Sequence, residues 1–221
     1  MNSRPASTRK DPTFDIRCRK CERLATFLDS VKETQPSYHA APVAPFGKPG
    51  ARMLIVGLAP GMHGANATGR PFTGDHAGIL LYETLFAHGL ASQPTGNRAD
   101  DGLRLINCRI TNAVKCLPPA NKPTTQEIAE CNSFLLADLA LLPRPGVVVA
   151  LGQVAHTAVL KALQKRQGEF KFGHANCHKL DDEFWLVDSY HCSRYNTQTK
   201  RLTAEMFSQV FAMATGLVEA Q

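Results

Sequence analysis

The chain has 221 residues and lacks any long apolar run. Its longest unbroken apolar stretches, such as Val147–Leu151, are far shorter than the roughly 20 residues that a membrane-spanning helix needs. The first twenty residues are polar and basic, without the apolar segment of a secretory signal. We therefore expect a cytoplasmic protein that does not associate with a membrane.

The sequence also lacks internal repeats, low-complexity segments and an acidic excess. It carries 25 basic and 19 acidic residues, a net charge of +6, which suits a polyanionic partner but also an ordinary basic enzyme surface. An apolar content of 43% is enough for a sizeable core. We predict a flexible basic tail over residues 1–13 and a single domain over residues 14–221.

Two nearly continuous apolar runs, Met53–Leu58 and Val147–Leu151, are typical of strands buried on both faces. They alternate with segments of helical periodicity, which predicts an α/β fold with a parallel sheet covered on both faces. The predicted helices cover Ile16–Val31, His76–His88, Thr125–Leu142, Gln153–Lys165 and Thr203–Leu217. Further strands are predicted within Leu105–Val114 and over Phe184–Val187.

Several helix ends carry recognisable signals. Thr124 and Glu127 have the spacing of a capping box, and Gly89 stands where a helix C-terminal cap is expected. Asp75 directly precedes a predicted helix. It has two interpretations: an N-cap, or a carboxylate presented at the mouth of the sheet.

Four of the seven cysteines have a spacing that suggests ligation. Cys18 and Cys21 form a C-x2-C on the first predicted helix, and Cys116 and Cys131 flank a proline-rich turn. A second C-x2-C, as in a zinc ribbon, is absent, so an iron–sulfur cluster fits better than zinc. The alternative is that Cys131 is a buried helix residue and the C-x2-C is incidental. The other three are expected to be small buried residues: Cys108, Cys177 and Cys192.

Two chemically rich loops, Ala59–Asp75 and Ser189–Asn196, follow predicted strands, where parallel sheets bind ligands. The first is glycine-rich but has neither G-x-G-x-x-G nor G-K-[ST], so nucleotide triphosphate binding is unsupported. Within it, Phe72 either stacks on a base or anchors the loop.

Two further side chains lie at strand ends: Asn112 near the end of the predicted strand Ile110–Val114, and His191 just past a strand. The Asn112 amide either reads a base edge or binds its own backbone. His191 is a candidate for polar chemistry, and the Arg194, Lys200 and Arg201 side chains beside it either contact phosphates or form a solvated loop.

Taken together, these segments resemble the uracil-DNA glycosylase superfamily, and most closely its iron–sulfur branch B, also called family five. The likeness runs from Cys18 to about Phe207. It is carried by the C-x2-C, G-L-A-P at Gly57–Pro60, G-R-P-F-T-G-D at Gly69–Asp75, T-N-A-V-K-C at Thr111–Cys116, Cys131 and the Ser189–Asn196 loop.

The resemblance implies a three-layer α/β/α sandwich around a short parallel sheet, and a monomer that excises uracil from DNA in base excision repair. Double-stranded DNA is the implied partner, with single-stranded DNA and other deaminated bases left open. It implies a [4Fe–4S] cluster held by Cys18, Cys21, Cys116 and Cys131.

The resemblance also implies roles for side chains. Asp75 stabilises the sugar cation and directs water, and His191 supports the departing base. The implied base-binding residues are Gly57, Ala59, His63, Phe72 and Asn112. The implied DNA contacts are Arg70, Ser193, Arg194 and Asn196, with Arg194 and Tyr195 as candidates for the wedge that fills the gap left by a flipped nucleotide.

The sequence departs from the family in one motif and keeps two alternatives open. Cys192 stands where the last motif, H-P-S, has proline, so we expect a looser or differently shaped loop. No active-site lysine is evident, so we expect a glycosylase without strand cleavage. The alternatives are a non-catalytic iron–sulfur or zinc nucleic-acid-binding module, and an enzyme that acts on free nucleosides.

Overall fold

The computed structural model describes residues 13–220, and its centre is a five-stranded sheet. The strands are β1 (Met53–Gly57), β2 (Cys108–Asn112), β3 (Gly146–Leu151), β4 (Cys177–Lys179) and β5 (Phe184–Ser189), in the spatial order β2-β1-β3-β5-β4. The first four strands of that order are parallel, as predicted. The short edge strand β4 is antiparallel and was not predicted.

Helices connect the strands and cover both faces of the sheet. In chain order they are α1 (Glu22–Thr34), α2 (Ala65–Thr68), α3 (His76–Ala87), α4 (Thr125–Ala140), α5 (Gln153–Ala162), α6 (Arg194–Gln198) and α7 (Ala204–Glu219). The short α2 and α6 were not predicted. No helix within residues 13–220 has both the length and the apolar character required to span a bilayer.

Each central strand buries both of its faces, because alternate side chains point to opposite layers of helices. Met53 and Ile55 pack with α3 and α7, whereas Leu54 and Val56 pack with α4 and α5. Strand β3 divides in the same way. The predicted three-layer α/β/α sandwich is therefore confirmed.

Helix α1 packs beside the turn that contains Cys116, with Leu24, Leu28 and Val31 buried there. We predicted that it starts at Ile16, and that prediction is wrong. The Asp15 carboxylate accepts a hydrogen bond from the Arg17 backbone N–H, and the Asp15 carbonyl accepts one from Cys18 N–H. This turn competes with helix formation, so α1 begins only at Glu22.

The helix-end predictions are confirmed where the signal is a side chain or a glycine. Thr124 and Glu127 form the reciprocal capping box of α4. Gly89 adopts a left-handed φ of 70° after α3. Helix α5 ends at Ala162, before the predicted Lys165, because Gln164 has a left-handed φ of 55° that interrupts the helix.

The predicted tail boundary falls one residue too late. Thr13 is fully buried, and its hydroxyl oxygen accepts a hydrogen bond from Nη2 of Arg109 at 3.4 Å. It therefore belongs to the folded part of the chain. The rest of the predicted tail, residues 1–12, lies outside the described residues.

A fully buried carboxylate, that of Asp138 on α4, binds two cations from the region of β2. Its Oδ1 accepts from Arg109 Nε at 3.1 Å, and its Oδ2 accepts from Lys115 Nζ at 3.0 Å. The Thr111 hydroxyl also donates to Oδ2, at 2.8 Å. All four side chains are buried, so the two cations depend on this carboxylate for neutralisation.

We expect Asp138→Asn to destabilise the protein strongly, because it leaves two buried cations without a counter-charge. Loss of one partner from a buried ion pair costs about 3–5 kcal/mol, which for a chain of this size lowers Tm by roughly 6–20 °C. A thermal unfolding series measures the change. Asp29→Asn is the matched control, because Asp29 pairs with Arg19 on the surface, and its Tm should barely move. Equal shifts in the two variants would contradict this assignment.

Candidate active site

A cavity of about 370 Å³ opens where β1, β2 and β5 end at their carboxyl edge. This is the edge at which parallel sheets bind ligands, and the volume is within the usual range for small-molecule sites. Six of the residues predicted for the site line it: Ala59, Phe72, Asp75, Asn112, His191 and Ser193.

Gly57 makes room for two of these side chains. It ends β1 directly opposite Asn112 of β2. A Cβ at Gly57 would overlap Asn112 Oδ1 and would lie only 2.7 Å from the Phe72 ring. Gly57 was predicted to bind the base. It lies behind the cavity wall, and its lack of a side chain leaves room for Asn112 and Phe72 to lie side by side.

The Asn112 amide is buried, and its Oδ1 has no hydrogen-bond partner within residues 13–220. A buried acceptor without a partner is costly unless a ligand or water supplies the donor. Phe72 is also buried and holds a left-handed φ of 52°. Its ring stacks on His191, with centroids 6.0 Å apart and planes 29° from parallel.

Both interpretations of Asp75, as an N-cap and as a carboxylate at the mouth of the sheet, are correct. It is the N-cap of α3, with Oδ1 accepting from Gly78 N–H at 3.0 Å, and it lines the cavity. Gly64 leaves room for its carboxylate, since a Cβ there would lie 2.7 Å from Asp75 Cγ. Burial raises the pKa of Asp75, while the N–H groups of Gly78 and Ala77 oppose that shift. The fixed carboxylate thus faces a poorly solvated space.

His191 follows β5 on the opposite wall. Burial lowers the pKa of its imidazole to about 4. The side chain is therefore neutral at pH 7 and has one N–H donor and one acceptor nitrogen.

The loop that carries His191 is held by residues that we predicted to contact DNA. Asn196 Nδ2 donates to the His191 carbonyl at 2.8 Å, and Ser193 caps α6 through its hydroxyl. Arg194 and Tyr195 are exposed on the first turn of α6, with 70% of Tyr195 accessible. These two side chains remain free to reach a ligand at the cavity rim.

Arg70 is not on the surface, where a DNA contact would require it to be. It is buried, and its guanidinium forms a two-pronged pair with Asp101, with Nη1–Oδ1 and Nη2–Oδ2 distances of 2.8 and 2.7 Å. Its Nε donates to Thr73 Oγ1 at 2.7 Å, and the guanidinium lies over the Phe46 ring. Arg70 therefore anchors the loop that presents Phe72.

His63 is exposed and does not line the cavity; its Nδ1 is 2.8 Å from the Tyr38 hydroxyl. Asn121 was not predicted to belong to the site, but it lines the cavity. Asn121 has a left-handed φ of 56°, a conformation that asparagine tolerates better than most residues. Its position in a proline-rich turn was the available signal.

Cys192, in the position of the family's proline, is completely buried and packs into the core on the side of α7. It lies close enough to Asp75 for that carboxylate to help raise the pKa of its thiol, although burial is the larger cause. Cys108 is buried as expected, but Cys177 is exposed on the edge strand β4, so that expectation was wrong.

The four predicted ligand cysteines do converge, although Cys18 precedes α1 and Cys21 is its N-cap residue. Cys18, Cys21, Cys116 and Cys131 line one small pocket between α1, the Cys116 turn and α4. Burial raises the pKa of the Cys116 thiol to about 12, and the neighbouring sulfurs of Cys131, Cys18 and Cys21 raise it further.

The four cysteine sulfurs of this pocket are suitable ligands for a metal ion or cluster that prefers sulfur. Four sulfurs meet in a mostly apolar space, and the Lys115 N–H points at Cys131 Sγ with an N–S distance of 3.3 Å. Backbone N–H groups directed at ligand sulfurs are a usual feature of such sites. The residues present therefore fit a cluster held by four cysteines.

Comparison with known proteins matches residues 44–214 to the family model described as the uracil DNA glycosylase superfamily. A type-5 uracil-DNA glycosylase from Thermus thermophilus is 45% identical, over 90% of this chain and 93% of that protein. One from Pyrobaculum aerophilum is 41% identical, over 90% and 88%. A type-4 uracil-DNA glycosylase from Thermotoga maritima is 41% identical, but over only 47% and 46%.

The family match covers the sheet, the cavity and the His191 loop, and the type-5 relatives extend over nearly the whole chain. The chain therefore belongs to the uracil-DNA glycosylase superfamily.

Proposed function

We propose that this protein is a monofunctional DNA glycosylase that excises uracil from DNA in base excision repair. The observation that carries the proposal is the convergence of Phe72, Asn112, Asp75 and His191 on one cavity in a chain 45% identical to a type-5 uracil-DNA glycosylase. No feature of residues 13–220 favours the non-catalytic binding module.

Base recognition is assigned to Phe72 and Asn112. The target nucleotide leaves the base stack and enters the cavity, where the Phe72 ring offers a face for stacking. Asn112 Oδ1, which has no partner within the described chain, accepts from the N–H of the uracil ring, and the amide NH₂ donates to a uracil carbonyl. Cytosine presents the reverse pattern at the same edge, so the amide favours uracil.

Bond cleavage is assigned to Asp75 and His191. When the bond between the sugar carbon and the base nitrogen breaks, the electron pair leaves with the base and the sugar becomes cationic. The Asp75 carboxylate stabilises that cation and accepts a proton from the attacking water, whose oxygen bonds to the sugar carbon. The neutral His191 donates its N–H hydrogen bond to the anionic base.

The cavity composition supports hydrolysis without strand cleavage. Strand cleavage by a glycosylase requires an amine that attacks the sugar, and no lysine among residues 13–220 lines the cavity. Lys115 is close in sequence to Asn112, but its amine is bound to Thr111 and Asp138. The product is therefore an abasic site.

The DNA partner is proposed to be double-stranded, bound by a single copy of the chain. Arg194 and Tyr195 are exposed and directly follow Ser193, which lines the cavity. Arginine there suits a phosphate, and an exposed tyrosine can fill the gap left by a flipped nucleotide. None of the seven cysteines, all of which lie within residues 13–220, is in a disulfide, which suits a reducing compartment such as the cytoplasm.

We further propose that the four converging cysteines hold a [4Fe–4S] cluster with a structural role. When bound, such a cluster supplies covalent links between the segment before α1, the Cys116 turn and α4. None of the residues that line the cysteine pocket also lines the cavity that holds Asp75 and His191, which is consistent with a role outside the bond-breaking step. The four thiolates and the N–H directed at Cys131 are the features that support it.

We expect Asp75→Asn to lower uracil excision by roughly 100-fold or more, because it removes the charge that stabilises the sugar cation. Asparagine is as good an N-cap as aspartate, so the fold should be retained. The assay is base release from a labelled duplex with one uracil opposite guanine, developed with hot alkali to reveal abasic sites.

Asp100→Asn is the matched control, because Asp100 is exposed and pairs with Arg98 away from the cavity. It should retain full activity. Because burial raises the pKa of Asp75, parent kcat/KM should fall as pH drops through a value above the ordinary aspartate range. Full activity in Asp75→Asn would remove this carboxylate from the mechanism; strand breaks before alkali would contradict monofunctional chemistry.

We expect Asn112→Ala to lower kcat/KM for uracil by about 10- to 100-fold, because two hydrogen bonds to the base are lost. The preference for uracil over cytosine should shrink with it. Parallel single-turnover assays on duplexes that differ only in the target base measure both effects. Asn132→Ala removes an amide that donates to the Ala158 carbonyl, and it should leave the preference intact. An unchanged preference in Asn112→Ala would reject the assigned role.

We expect Cys116→Ser to lose iron and sulfide and to unfold at a lower temperature, because ligand binding contributes folding free energy. Cys177→Ser is the control, since Cys177 is exposed on β4 at the far sheet edge. Iron and sulfide analysis gives the content per chain, and a melting curve gives Tm. Equal iron in both variants, or stoichiometric zinc in colourless parent protein, would exclude the cluster.

A further inference from the structure

A second group of metal-binding side chains lies on the α5 side of the sheet, away from the four cysteines. His156 on α5, His178 on β4 and Asp188 on β5 place one ligand atom each within 4.8 Å of one another. His156 and Asp188 are buried, and His178 is 15% exposed. The proposed glycosylase function uses none of the three.

The hydrogen bonds of His156 require a positive species beside Asp188. Nε2 of His156 lies 3.0 Å from the Phe170 carbonyl oxygen. A carbonyl oxygen only accepts, so Nε2 carries the hydrogen. In the neutral ring Nδ1 is then a lone-pair acceptor, yet it faces the acceptor Oδ1 of Asp188 at 2.8 Å. Either a second proton or a metal ion must lie between them.

Three features favour a metal ion over a proton. The Asp188 carboxylate is shared with a second imidazole, since its Oδ2 lies 3.3 Å from Nε2 of His178. Two imidazoles and one carboxylate are a ligand set that zinc and similar divalent transition metals prefer. The bond from His156 Nε2–H to a backbone carbonyl is the usual way to orient a metal-binding histidine.

The surroundings also hold the three side chains in place. The rings of Phe170 and Phe172 pack edge-on against His178 and His156, with centroid distances of 5.8 and 5.7 Å. The Gly173 N–H points at Asp188 Oδ2 from 3.4 Å. The two rings form an apolar flank beside the imidazoles, and the Gly173 N–H orients the carboxylate.

We propose that His156 Nδ1, His178 Nε2 and the Asp188 carboxylate bind one divalent transition metal ion of the zinc class. The ion would join α5 and the edge strand β4 to β5. Asp188 precedes His191 by three residues, so the same ion fixes the strand that delivers His191 to the cavity. This proposal is independent of the glycosylase assignment and of the cluster.

The test uses the full chain with its iron content intact. The protein is dialysed against a zinc chelator, loaded with zinc chloride, desalted and analysed for zinc and iron. We expect one zinc per chain in the parent and in His88→Ala, a control histidine that hydrogen-bonds Ser208 elsewhere. Zinc should be lost from His178→Ala and Asp188→Asn, whereas iron per chain should not change.

Thermal unfolding supplies a second readout. Zinc at about 100 times its Kd should raise the parent Tm by about 5–10 °C and leave His178→Ala unchanged. His178 is partly exposed on an edge strand, so its alanine variant remains informative if Asp188→Asn fails to fold. The proposal is overturned if the parent retains no zinc, or if His178→Ala retains as much as the parent. A zinc-free parent would mean that His156 carries the second proton.

Discussion

The carboxylate of Asp138 is the contact on which the arrangement of the site depends. It neutralises Lys115 and Arg109 inside the protein, and the two cations lie on opposite sides of Asn112 in the chain. Thr111, which donates to the same carboxylate, directly precedes Asn112. One buried anion on α4 thus holds the end of β2 from both sides, and with it the amide assigned to base recognition.

The same contact reaches the cysteine pocket. Lys115 directly precedes Cys116, and its backbone N–H points at Cys131, which shares α4 with Asp138. The cavity wall formed by Asn112 and the cysteine pocket are therefore built on one strand end and one helix. A displacement of α4 would disturb both, which explains why so polar a network is retained in the interior despite its desolvation cost.

Burial shifts the pKa values of two groups that line the cavity in opposite directions. It raises the pKa of Asp75 and lowers that of His191, so in each case the charged form is disfavoured. At Asp75, backbone N–H groups at the start of α3 oppose that shift. The cavity therefore combines a carboxylate with a neutral imidazole, the two groups that the proposed cleavage to a sugar cation and a base anion would use.

The sequence predicted the parts of the molecule that are governed by local patterns. Continuous apolar runs identified β1 and β3, and the capping box identified the start of α4. Predictions failed where a distant partner decides the outcome. Nothing local to Arg70 indicates that Asp101 will bury it, and short elements such as β4 exist only because a longer neighbour pairs with them.

The same distinction between local patterns and distant partners applies to the site residues. Asp75 directly precedes helix α3 and Asn112 ends strand β2. Their positions could therefore be anticipated from the order of strands and helices. The left-handed turn that brings Asn121 to the cavity depends on packing that the sequence does not display. The grouping of His156 with Asp188 arises from a tertiary contact between α5 and β5, which joins residues 32 positions apart.

The docking of α1 against the Cys116 turn has a consequence for synthesis on the ribosome. Roughly 100 residues separate Cys18 from Cys116, which at about 5–20 residues per second amounts to about 5–20 s of translation. During that interval the apolar face formed by Leu24, Leu28 and Val31 has no partner and two of the four thiols stand alone. The nascent chain is therefore prone to aggregation and oxidation during this interval. That vulnerability ends only when α4 has emerged.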